Sequence, residues 1–560
     1  MEYPRETARD AAPSAGEPRP DGGNGEVPES GKPPRSYQSY VGGQDLPNDA
    51  WVYTVDSHAL LEDVFTGVQL KRKLERDPDS EAAGHPYVAG RVAVASDEEN
   101  RRALEAAAKA APEWAATPLD ERMRLGGLFR ETLEAHRQEL LDLLVAEAHP
   151  VRLARWELSC LAQVFSRESC RWYRDCMRTE FAHAGRDLIV RRQPDGVVCL
   201  NPPQNAPAPS AALAVLALMA GNSVVVRAPR SIALSTMYVL RDLVAPLLEE
   251  LAAPPGTLNA VCGGAGRTLD HWVRSPLVDD IFYIGGSEEG LRLQERCVVA
   301  GKKPILELAG NDTIVVWEDA DLPLAAEALT EAFYGSGQIC MVPNTVLAHP
   351  AVADPLISLV REKARRIRPG LPSDEGVLLS PVRRSERFFR LLEQALGEGA
   401  QLACGGRRTE ADGTPSETGV FLEPTVLRID GLARARRTDA VKRETFFPLL
   451  PVVVVESAES AELLATCLDF VNSNAYGLRN SLWARSPDVI GQFVHRTTNG
   501  GLLKVNDSHI GFLPYLPSHG GTGLTGGVFG EANYPMLKTS HLQGVSISGG
   551  TSPYREVFGD

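Results

Sequence analysis

Residues 196–226 read GVVCLNPPQNAPAPSAALAVLALMAGNSVVV, the longest stretch of the chain without a charged side chain. Prolines, Gly221 and Asn222 divide it, and its longest unbroken apolar part is mostly Ala, so it predicts buried strands and a buried helix rather than a membrane span. Short β-branched runs lie before and after it, at residues 188–190, 257–261 and 280–284. Runs that alternate with helical segments predict parallel strands joined by crossover helices, hence an open α/β sheet.

A second alternating region follows nearer the C-terminus. Its strand candidates are residues 313–316, 345–348, 450–455 and 502–506, with a helix at 324–334. We therefore predict an α/β fold with two open α/β domains that meet near residues 308–311. The charge-rich pattern from 96 to 148 predicts amphipathic helices that cover the first domain.

Composition excludes several classes of protein. The 560 residues are 43% hydrophobic and 23% charged, as in a large globular protein, and the formal net charge of −15 predicts that neither nucleic acid nor an anionic membrane is a partner. The nine cysteines include no CxxC pair, which predicts a reduced, cytoplasmic location and no metal site. Residues 1–40 are predicted to form a disordered tail without a signal peptide.

Several catalytic motifs are absent or out of place. The sequence has no GxxxxGK[ST], HExxH or GxSxG motif. Gly521, Gly523 and Gly526 match GxGxxG, but no strand precedes them and no acidic residue follows about 20 positions later. We do not interpret them as a dinucleotide fingerprint.

Cys340 differs from the other thiols in its surroundings. It follows Gly335, Ser336, Gly337 and Gln338, a flexible turn in which a thiol can be exposed to a ligand. Glu307 precedes it in an apolar strand that ends in a glycine. A buried carboxyl tends to have a raised pKa, which suits a general base working near neutral pH.

Five short motifs, in this order from about residue 95 to 545, resemble the aldehyde dehydrogenase superfamily. They are Asn201-Pro202-Pro203-Gln204-Asn205, Leu306-Glu307-Leu308-Ala309-Gly310-Asn311-Asp312, Gly337-Gln338-Ile339-Cys340, Glu444-Thr445-Phe446, and Tyr476-Gly477-Leu478 ahead of Val505-Asn506. Together they are far more specific than any one alone. The alternative is that these residues have only structural roles: Cys340 as a loop thiol, Asn205 as a turn residue and Glu307 as a paired carboxylate.

The resemblance implies a role for each matched residue. Cys340 would attack the aldehyde as a thiolate, and Asn205 would complete an oxyanion hole with a backbone N–H. Glu307 would activate the water that hydrolyses the thioester. Glu444 and Phe446 would hold the nicotinamide ribose and ring.

The expected cofactor site departs from the family pattern. Arg227-Ala228-Pro229-Arg230 stands where the family commonly has Lys-Pro-Ser-Glu, so a cation replaces the carboxylate that binds the adenosine ribose. Arg230, helped by Arg227, is predicted to favour NADP over NAD, the alternative being that both arginines are solvated. Gly285 and Gly286 precede Ser287, whose hydroxyl, with nearby N–H groups, is expected at the pyrophosphate.

The resemblance also implies an organisation of the chain. We expect an N-terminal cofactor-binding domain at 41–307, a catalytic thiol domain at 308–525 and a C-terminal oligomerisation tail at 526–560. Residues 177–194 would join residues 539–557 of that tail in a protruding β oligomerisation segment, and the protein would be a homodimer or homotetramer. The glycine-rich residues 519–527 differ from the family pattern, and their role is left open.

The predicted function is NAD(P)-dependent oxidation of an aldehyde to a carboxylic acid. The alternatives are a CoA-acylating, thioester-reducing relative, against which Glu307 argues, and a non-catalytic scaffold. Ala206 and Pro207 follow Asn205 where many relatives have a bulky aromatic residue, which predicts a wide pocket for an apolar or aromatic aldehyde. In loop 509–517, Phe512 and Tyr515 would either cover this pocket or belong to the core.

Overall fold

A computed structural model describes residues 34–77, 85–456, 459–516, 519–530 and 532–559, and a compact unit begins at Pro34. Residues 1–33 of the predicted tail lie outside this description. The last residues of the predicted disordered tail are ordered: residues 35–37 and 39–41 are strands. They are ordered because Tyr37, Tyr40 and Val41 bury their side chains and residue 40 pairs with Ala260.

Strands occur throughout the described ranges. In chain order they are β1 (Arg35–Tyr37), β2 (Ser39–Val41), β3 (Gln44–Leu46), β4 (Trp51–Val55), β5 (Val88–Ala93), β6 (Arg178–His183), β7 (Arg186–Pro194), β8 (Val197–Asn201), β9 (Ser223–Pro229), β10 (Leu258–Gly263), β11 (Asp280–Ile284), β12 (Lys303–Glu307), β13 (Asp312–Val316), β14 (Pro343–Ala348), β15 (Gln401–Cys404), β16 (Arg408–Thr409), β17 (Phe421–Leu422), β18 (Thr425–Asp430), β19 (Leu449–Val454), β20 (Tyr476–Gly477), β21 (Arg479–Trp483), β22 (Leu502–Val505), β23 (His519–Gly520), β24 (Thr522–Gly523), β25 (Ala532–Asn533) and β26 (Ser540–Ser548).

Helices connect most of these strands. They are α1 (Ser57–Glu62), α2 (Val64–Arg76), α3 (Asp97–Ala116), α4 (Leu119–Ala135), α5 (Arg137–Ala146), α6 (Val151–Val164), α7 (Arg167–Met177), α8 (Pro207–Ala220), α9 (Leu234–Met237), α10 (Ala245–Glu250), α11 (Ala265–Arg274), α12 (Ser287–Val299), α13 (Leu322–Thr330), α14 (Ala353–Ala364), α15 (Glu386–Gly397), α16 (Leu432–Ala435), α17 (Asp439–Lys442), α18 (Ser460–Asn472), α19 (Pro487–Arg496), α20 (Pro535–Lys538) and α21 (Pro553–Phe558). A π-helical segment, Tyr238–Val244, joins α9 to α10, and a 3₁₀ segment, Glu331–Gly337, follows α13.

The first large sheet has the order β12-β11-β8-β9-β10-β2-β3. Its first five strands are parallel, and β2 and β3 are antiparallel additions at one edge. The chain runs from β8 to β10 on one side of β8 and then returns to β11 and β12 on the other side. Ligands of open α/β sheets bind at such a change of direction, beyond the carboxyl ends of the strands.

The second large sheet has the order β15-β18-β19-β14-β13-β21-β22 and is parallel except for β15. It begins at Asp312, five residues after β12 ends at Glu307. The α/β fold with two open sheets is therefore confirmed. The carboxyl end of β12 leads directly to the amino end of β13, so the two sheets meet at residues 308–311.

A third sheet, β6-β7-β26, consists largely of exposed residues. β26 pairs antiparallel with the whole of β7, from Ser540 opposite Pro194 to Ser548 opposite Arg186. The C-terminal strand of this sheet, Ser540–Ser548, lies within residues 539–557, where the β segment is expected. Met536 in α20 is fully buried in the core around α8, since its side chain is apolar and fills that core.

Small sheets and short helices complete the described structure. The sheet β1-β5-β4 lies near the N-terminus, and β16-β17, β20-β24 and β23-β25 are pairs. In the described part of the chain, every helix is too short or too polar to cross a membrane.

Candidate active site

The loop that carries Cys340 is shaped by close backbone packing. Gly335, Ser336 and Gly337 all have positive φ, and a Cβ on Gly337 would lie 2.2 Å from the carbonyl oxygen of Phe447. A Cβ on Gly310 would lie 2.1 Å from the carbonyl oxygen of Cys340. Glycine at 310 and 337 therefore lets the thiol loop sit directly against the junction of the two sheets.

Asn205 and Glu307 reach this loop from the first sheet. The Asn205 side-chain amide donates to the carbonyl oxygen of Gln338 at 3.0 Å. Glu307 is the buried last residue of β12, and its carbonyl oxygen accepts from Gly285 N at 3.0 Å. All three predicted catalytic residues, Cys340, Asn205 and Glu307, line one cavity.

The thiol is electrostatically disfavoured as an anion. Burial, followed by the carboxylates of Glu444 and Glu307, raises the pKa of Cys340 to about 12, whereas the Arg479 guanidinium acts against this rise. At neutral pH the thiol is therefore protonated, and attack on a carbonyl needs a group that takes the proton.

Glu444 is held by the backbone N–H of Gly310 and by the side chain of Arg387. Its Oε1 accepts from Gly310 N at 3.0 Å, and its carbonyl oxygen accepts from Arg387 at 2.7 Å. Burial raises the pKa of Glu444 to about 7. Phe446, also on the cavity wall, has φ of 57°, a conformation that is strained for a bulky residue and is typical of functional sites.

The cavity has a volume of about 360 Å³, and Cys340 is one of its lining residues. Gly285, Gly286, Glu444, Phe446 and Arg387 also line it. Much of the remaining wall is apolar and aromatic and includes Trp156, Leu161, Phe165, Tyr173, Leu213 and Phe512. The buried Glu157 carboxyl is on the wall as well and pairs with His149 at 3.1 Å. A wall that is mainly apolar suits an apolar aldehyde.

The residues expected to bind the cofactor lie at the end of one strand and the start of the next helix. A Cβ on Gly285 would lie 2.6 Å from the Tyr283 hydroxyl, whereas a Cβ on Gly286 would meet open space. Gly286 caps the N-terminus of α12, whose N–H groups face anions favourably. Pro229 ends β9, and Arg230 beyond it is exposed. These residues fit a dinucleotide whose pyrophosphate lies at the start of α12.

Two predicted cofactor contacts are corrected by the structure. Arg227 is buried and donates to Asn201 Oδ1 at 2.6 Å and to the carbonyl oxygens of Gly263 and Pro202, so it braces the strand ends and does not face a 2′-phosphate. The Ser287 hydroxyl donates to the Leu524 carbonyl oxygen at 2.6 Å. This hydrogen bond links the Ser287 side chain to the glycine-rich loop, because the Leu524 carbonyl oxygen lies within its reach. The backbone N–H of Ser287 remains at the start of α12.

The glycine-rich residues 519–527 support the catalytic strand. Leu308 N donates to the Thr525 carbonyl oxygen at 2.9 Å, and Thr525 Oγ1 donates to the Ala309 carbonyl oxygen at 2.8 Å. A Cβ on Gly521 would lie 2.0 Å from the Gly477 carbonyl oxygen, so this glycine is needed for close contact with β20. The loop therefore fixes the residues that follow Glu307.

Sequence reasoning missed several residues around the site. The pocket wall formed by Trp156, Phe165 and Tyr173 comes from α6, the residue that caps it and α7, a stretch for which no motif gave a signal. Tyr515 is 42% exposed, packs against Trp172 and is not among the residues that line the cavity, so neither alternative, over the pocket or in the core, describes it. Phe512 lines the cavity and also packs against the core; Pro517 lies outside the described residues.

Known proteins with similar sequences share one family description. The model of the aldehyde dehydrogenase family matches residues 79–540. The succinate-semialdehyde dehydrogenase [NADP(+)] GabD of Escherichia coli (strain K12) is 30% identical over 462 residues, which are 80% of this chain and 91% of that protein. Vanillin dehydrogenase of Corynebacterium glutamicum is 31% identical over 74% of this chain and 82% of its own.

A solved structure has the same fold. The NAD-dependent aldehyde dehydrogenase from Sinorhizobium meliloti superposes with a TM-score of 0.77 at 23% identity, covering 94% of this chain and 99% of its own.

Proposed function

Because this chain belongs to the aldehyde dehydrogenase family and is an NAD(P)-dependent oxidoreductase that acts on aldehydes, we propose that Cys340 is its nucleophile. The observation that carries the proposal is the position of Cys340 on one cavity between Asn205, Glu307 and Glu444. We further propose that residues 41–307 bind the cofactor and that residues 308–525 supply the thiol.

The first chemical step is attack on the aldehyde carbon. A carboxylate beside the thiol takes its proton, and Glu444, with a pKa of about 7, is matched to that transfer. The sulfur then bonds to the carbon, and the Asn205 amide donates to the oxygen that becomes negative. A nicotinamide bound here would accept the hydride that leaves the former aldehyde carbon, so that the C–H bond breaks and the oxyanion forms the carbonyl of a thioester. Gly285, Gly286 and the start of α12 hold the dinucleotide, with Glu444 and Phe446 at its nicotinamide end.

Hydrolysis of the thioester completes the reaction. Glu307 accepts a proton from water, the resulting hydroxide attacks the acyl carbon, and the carbon–sulfur bond breaks to release a carboxylic acid. A general base at this position favours water over CoA as the second nucleophile. Adding CoA to the assay tests that alternative, since an acylating enzyme would form an acyl-CoA instead of the free acid.

We expect the enzyme to prefer NADP because Arg230 is exposed beyond β9, where a carboxylate would repel a 2′-phosphate. A charge-assisted contact of this kind gives roughly a ten- to hundredfold preference in kcat/KM. Arg230→Glu should reverse the ratio measured with the two cofactors. Arg274→Glu, at the end of α11, is a matched control that should leave the ratio unchanged. A parent enzyme that prefers NAD would show that Arg230 points away from the cofactor.

We propose an apolar or aromatic aldehyde as the substrate. Most of the cavity wall is aromatic or aliphatic, and the guanidinium among the lining groups, that of Arg387, is engaged by the Glu444 carbonyl oxygen at 2.7 Å. A carboxylate on the substrate would therefore lose water without gaining a cationic partner.

Hexanal and benzaldehyde should give kcat/KM about tenfold or more above that of succinate semialdehyde, since an unpaired buried charge costs at least about 1.4 kcal/mol. Steady-state rates across the three aldehydes, with acetaldehyde as a small reference, measure this. An optimum with succinate semialdehyde would contradict the proposed substrate class.

We propose a cytoplasmic homodimer or homotetramer. All nine cysteines are free thiols, as expected in a reducing compartment. The sheet β6-β7-β26 exposes Phe181, Val190, Leu542 and Ile547, and apolar surface of this kind favours contact with a second copy. Light scattering on the purified protein would measure the oligomer.

A further inference from the structure

A buried ion pair lies behind the nucleophile, and the steps above do not use it. Arg479 is the first residue of β21 and Asp312 the first of β13, and each side chain is 1% exposed. Asp312 Oδ1 accepts from Arg479 N at 3.3 Å, and Oδ2 lies 4.0 Å from Arg479 Nε. Burying two charges is costly compared with an apolar pair of the same size, so the pair needs an explanation beyond stability.

The guanidinium joins two segments of the active site. Its Nη1 donates to the His509 carbonyl oxygen at 2.7 Å, and its Nη2 lies 3.1 Å from the sulfur of Met341, the residue after Cys340. The His509 ring is also fixed, with Nε2 3.3 Å from Asp312 Oδ2 and Nδ1 2.6 Å from Ser481 Oγ. Arg479 is thereby oriented by contacts from β13, the thiol loop and the 509 loop.

The charges around Cys340 come from four elements. Glu307 lies at the end of β12, Asp312 at the start of β13, Glu444 in the segment before β19, and Arg479 at the start of β21. The three carboxylates raise the pKa of Cys340 and so disfavour the thiolate. The guanidinium lowers this pKa, and its effect is larger than the effect of Asp312. Around Arg479 itself stand Glu331, Lys504, His509 and His519.

We propose that Arg479 is a positioning residue that acts through Cys340: its guanidinium, oriented by Asp312 and His509, stabilises the thiolate and holds Met341 beside it. The inference rests on the proposed function in taking Cys340 as the nucleophile. It adds a cation, 139 positions away in sequence, to the groups that set the reactivity of the thiol.

Alkylation of Cys340 by iodoacetamide measures this without turnover. The rate, read by mass spectrometry of the peptide that contains Cys340, reports the thiolate fraction from pH 8 to 10. His509 and His519 do not titrate there, because burial lowers the pKa of His519 to about 4 and that of His509 well below its usual value. For the parent we expect a rise of about tenfold per pH unit, since the pKa of the thiol lies above this range.

The deciding comparison is Asp312→Asn against the double variant Asp312→Asn/Arg479→Gln. Both lack the carboxylate at 312, and the double variant also lacks the guanidinium, with its charge and its contacts to His509 and Met341. The double variant should be alkylated about tenfold more slowly at pH 8, as expected for loss of one nearby opposite charge. Arg479→Lys keeps the charge and should stay within about threefold of the parent. Equal rates in the first two variants would overturn the proposal.

Circular dichroism and thermal melting establish that each variant is folded. If the double variant does not fold, Arg479→Met with Asp312→Leu removes both charges by an apolar exchange that buried ion pairs often tolerate. It should be alkylated more slowly than the parent, and an equal rate would again overturn the proposal. The proposed function has a different test: it would be contradicted if Cys340→Ala retained turnover, whatever the alkylation rates show.

Discussion

Cys340→Ala is expected to abolish NAD(P)H formation with any aldehyde while leaving the fold intact. Cys160 also lines the cavity, but it is the Cys340 loop that contacts Gly310 and Asn205. Loss of a nucleophile that works as a unit with its base costs roughly 10⁴-fold or more in kcat. Absorbance at 340 nm under saturating cofactor measures the loss.

Cys404→Ala is the matched control for this experiment. Cys404 is a half-buried thiol at the end of β15, on an edge strand of the second sheet, and it does not line the cavity. Its replacement should leave kcat within about twofold of the parent, as for most substitutions away from a functional site. Activity of Cys340→Ala within about tenfold of the parent would exclude Cys340 as the nucleophile.

Glu307→Gln should produce a burst of about one NAD(P)H per active site, followed by a steady rate lowered by roughly 10² to 10⁴-fold. The amide cannot take a proton from water, so the acyl-enzyme accumulates after the first turnover. Its shape preserves the packing of β12, whose contact to Gly285 runs through the backbone. Rapid-quench kinetics give the burst, and intact-protein mass spectrometry gives the added acyl mass.

Glu98→Gln, on the exposed start of α3, controls for loss of one negative charge and should show neither burst nor acyl adduct. If Glu307→Gln turns over at the parent's steady rate, another group activates water. A mutant without a burst but with slow turnover would place the effect before thioester formation.

Much of the fold follows from local sequence. The parallel strands β8, β9, β11, β13 and β14 are buried on both faces and therefore appear as continuous apolar runs between helical segments. The three-residue strands β1 and β2 escaped prediction because their position depends on tertiary pairing with β5 and β10.

The site was predictable where short motifs specify it and not where it depends on distant partners. Cys340, Asn205 and Glu307 were placed by motif and lie together on one cavity. The direction in which an arginine side chain points near the end of a strand depends on distant neighbours and not on the local sequence. The sequence pattern therefore assigns Arg227 to the cofactor, whereas its guanidinium donates to Asn201. The pair of Asp312 with Arg479 joins residues 167 positions apart, beyond any local pattern.

The pairing of β26 with β7 has a consequence for the nascent chain. β7 cannot pair with β26, and Met536 cannot fill the core around α8, until nearly all of the protein has left the ribosome, because Ser540, which pairs with Pro194, is synthesised so late. At 5–20 residues per second, that interval lasts about 20 to 70 s. Throughout it, β7 exposes an unpaired edge that another growing chain can occupy. Conditions that slow translation late in the message should therefore lower the yield of native protein, and chaperones that bind emerging chains should restore it.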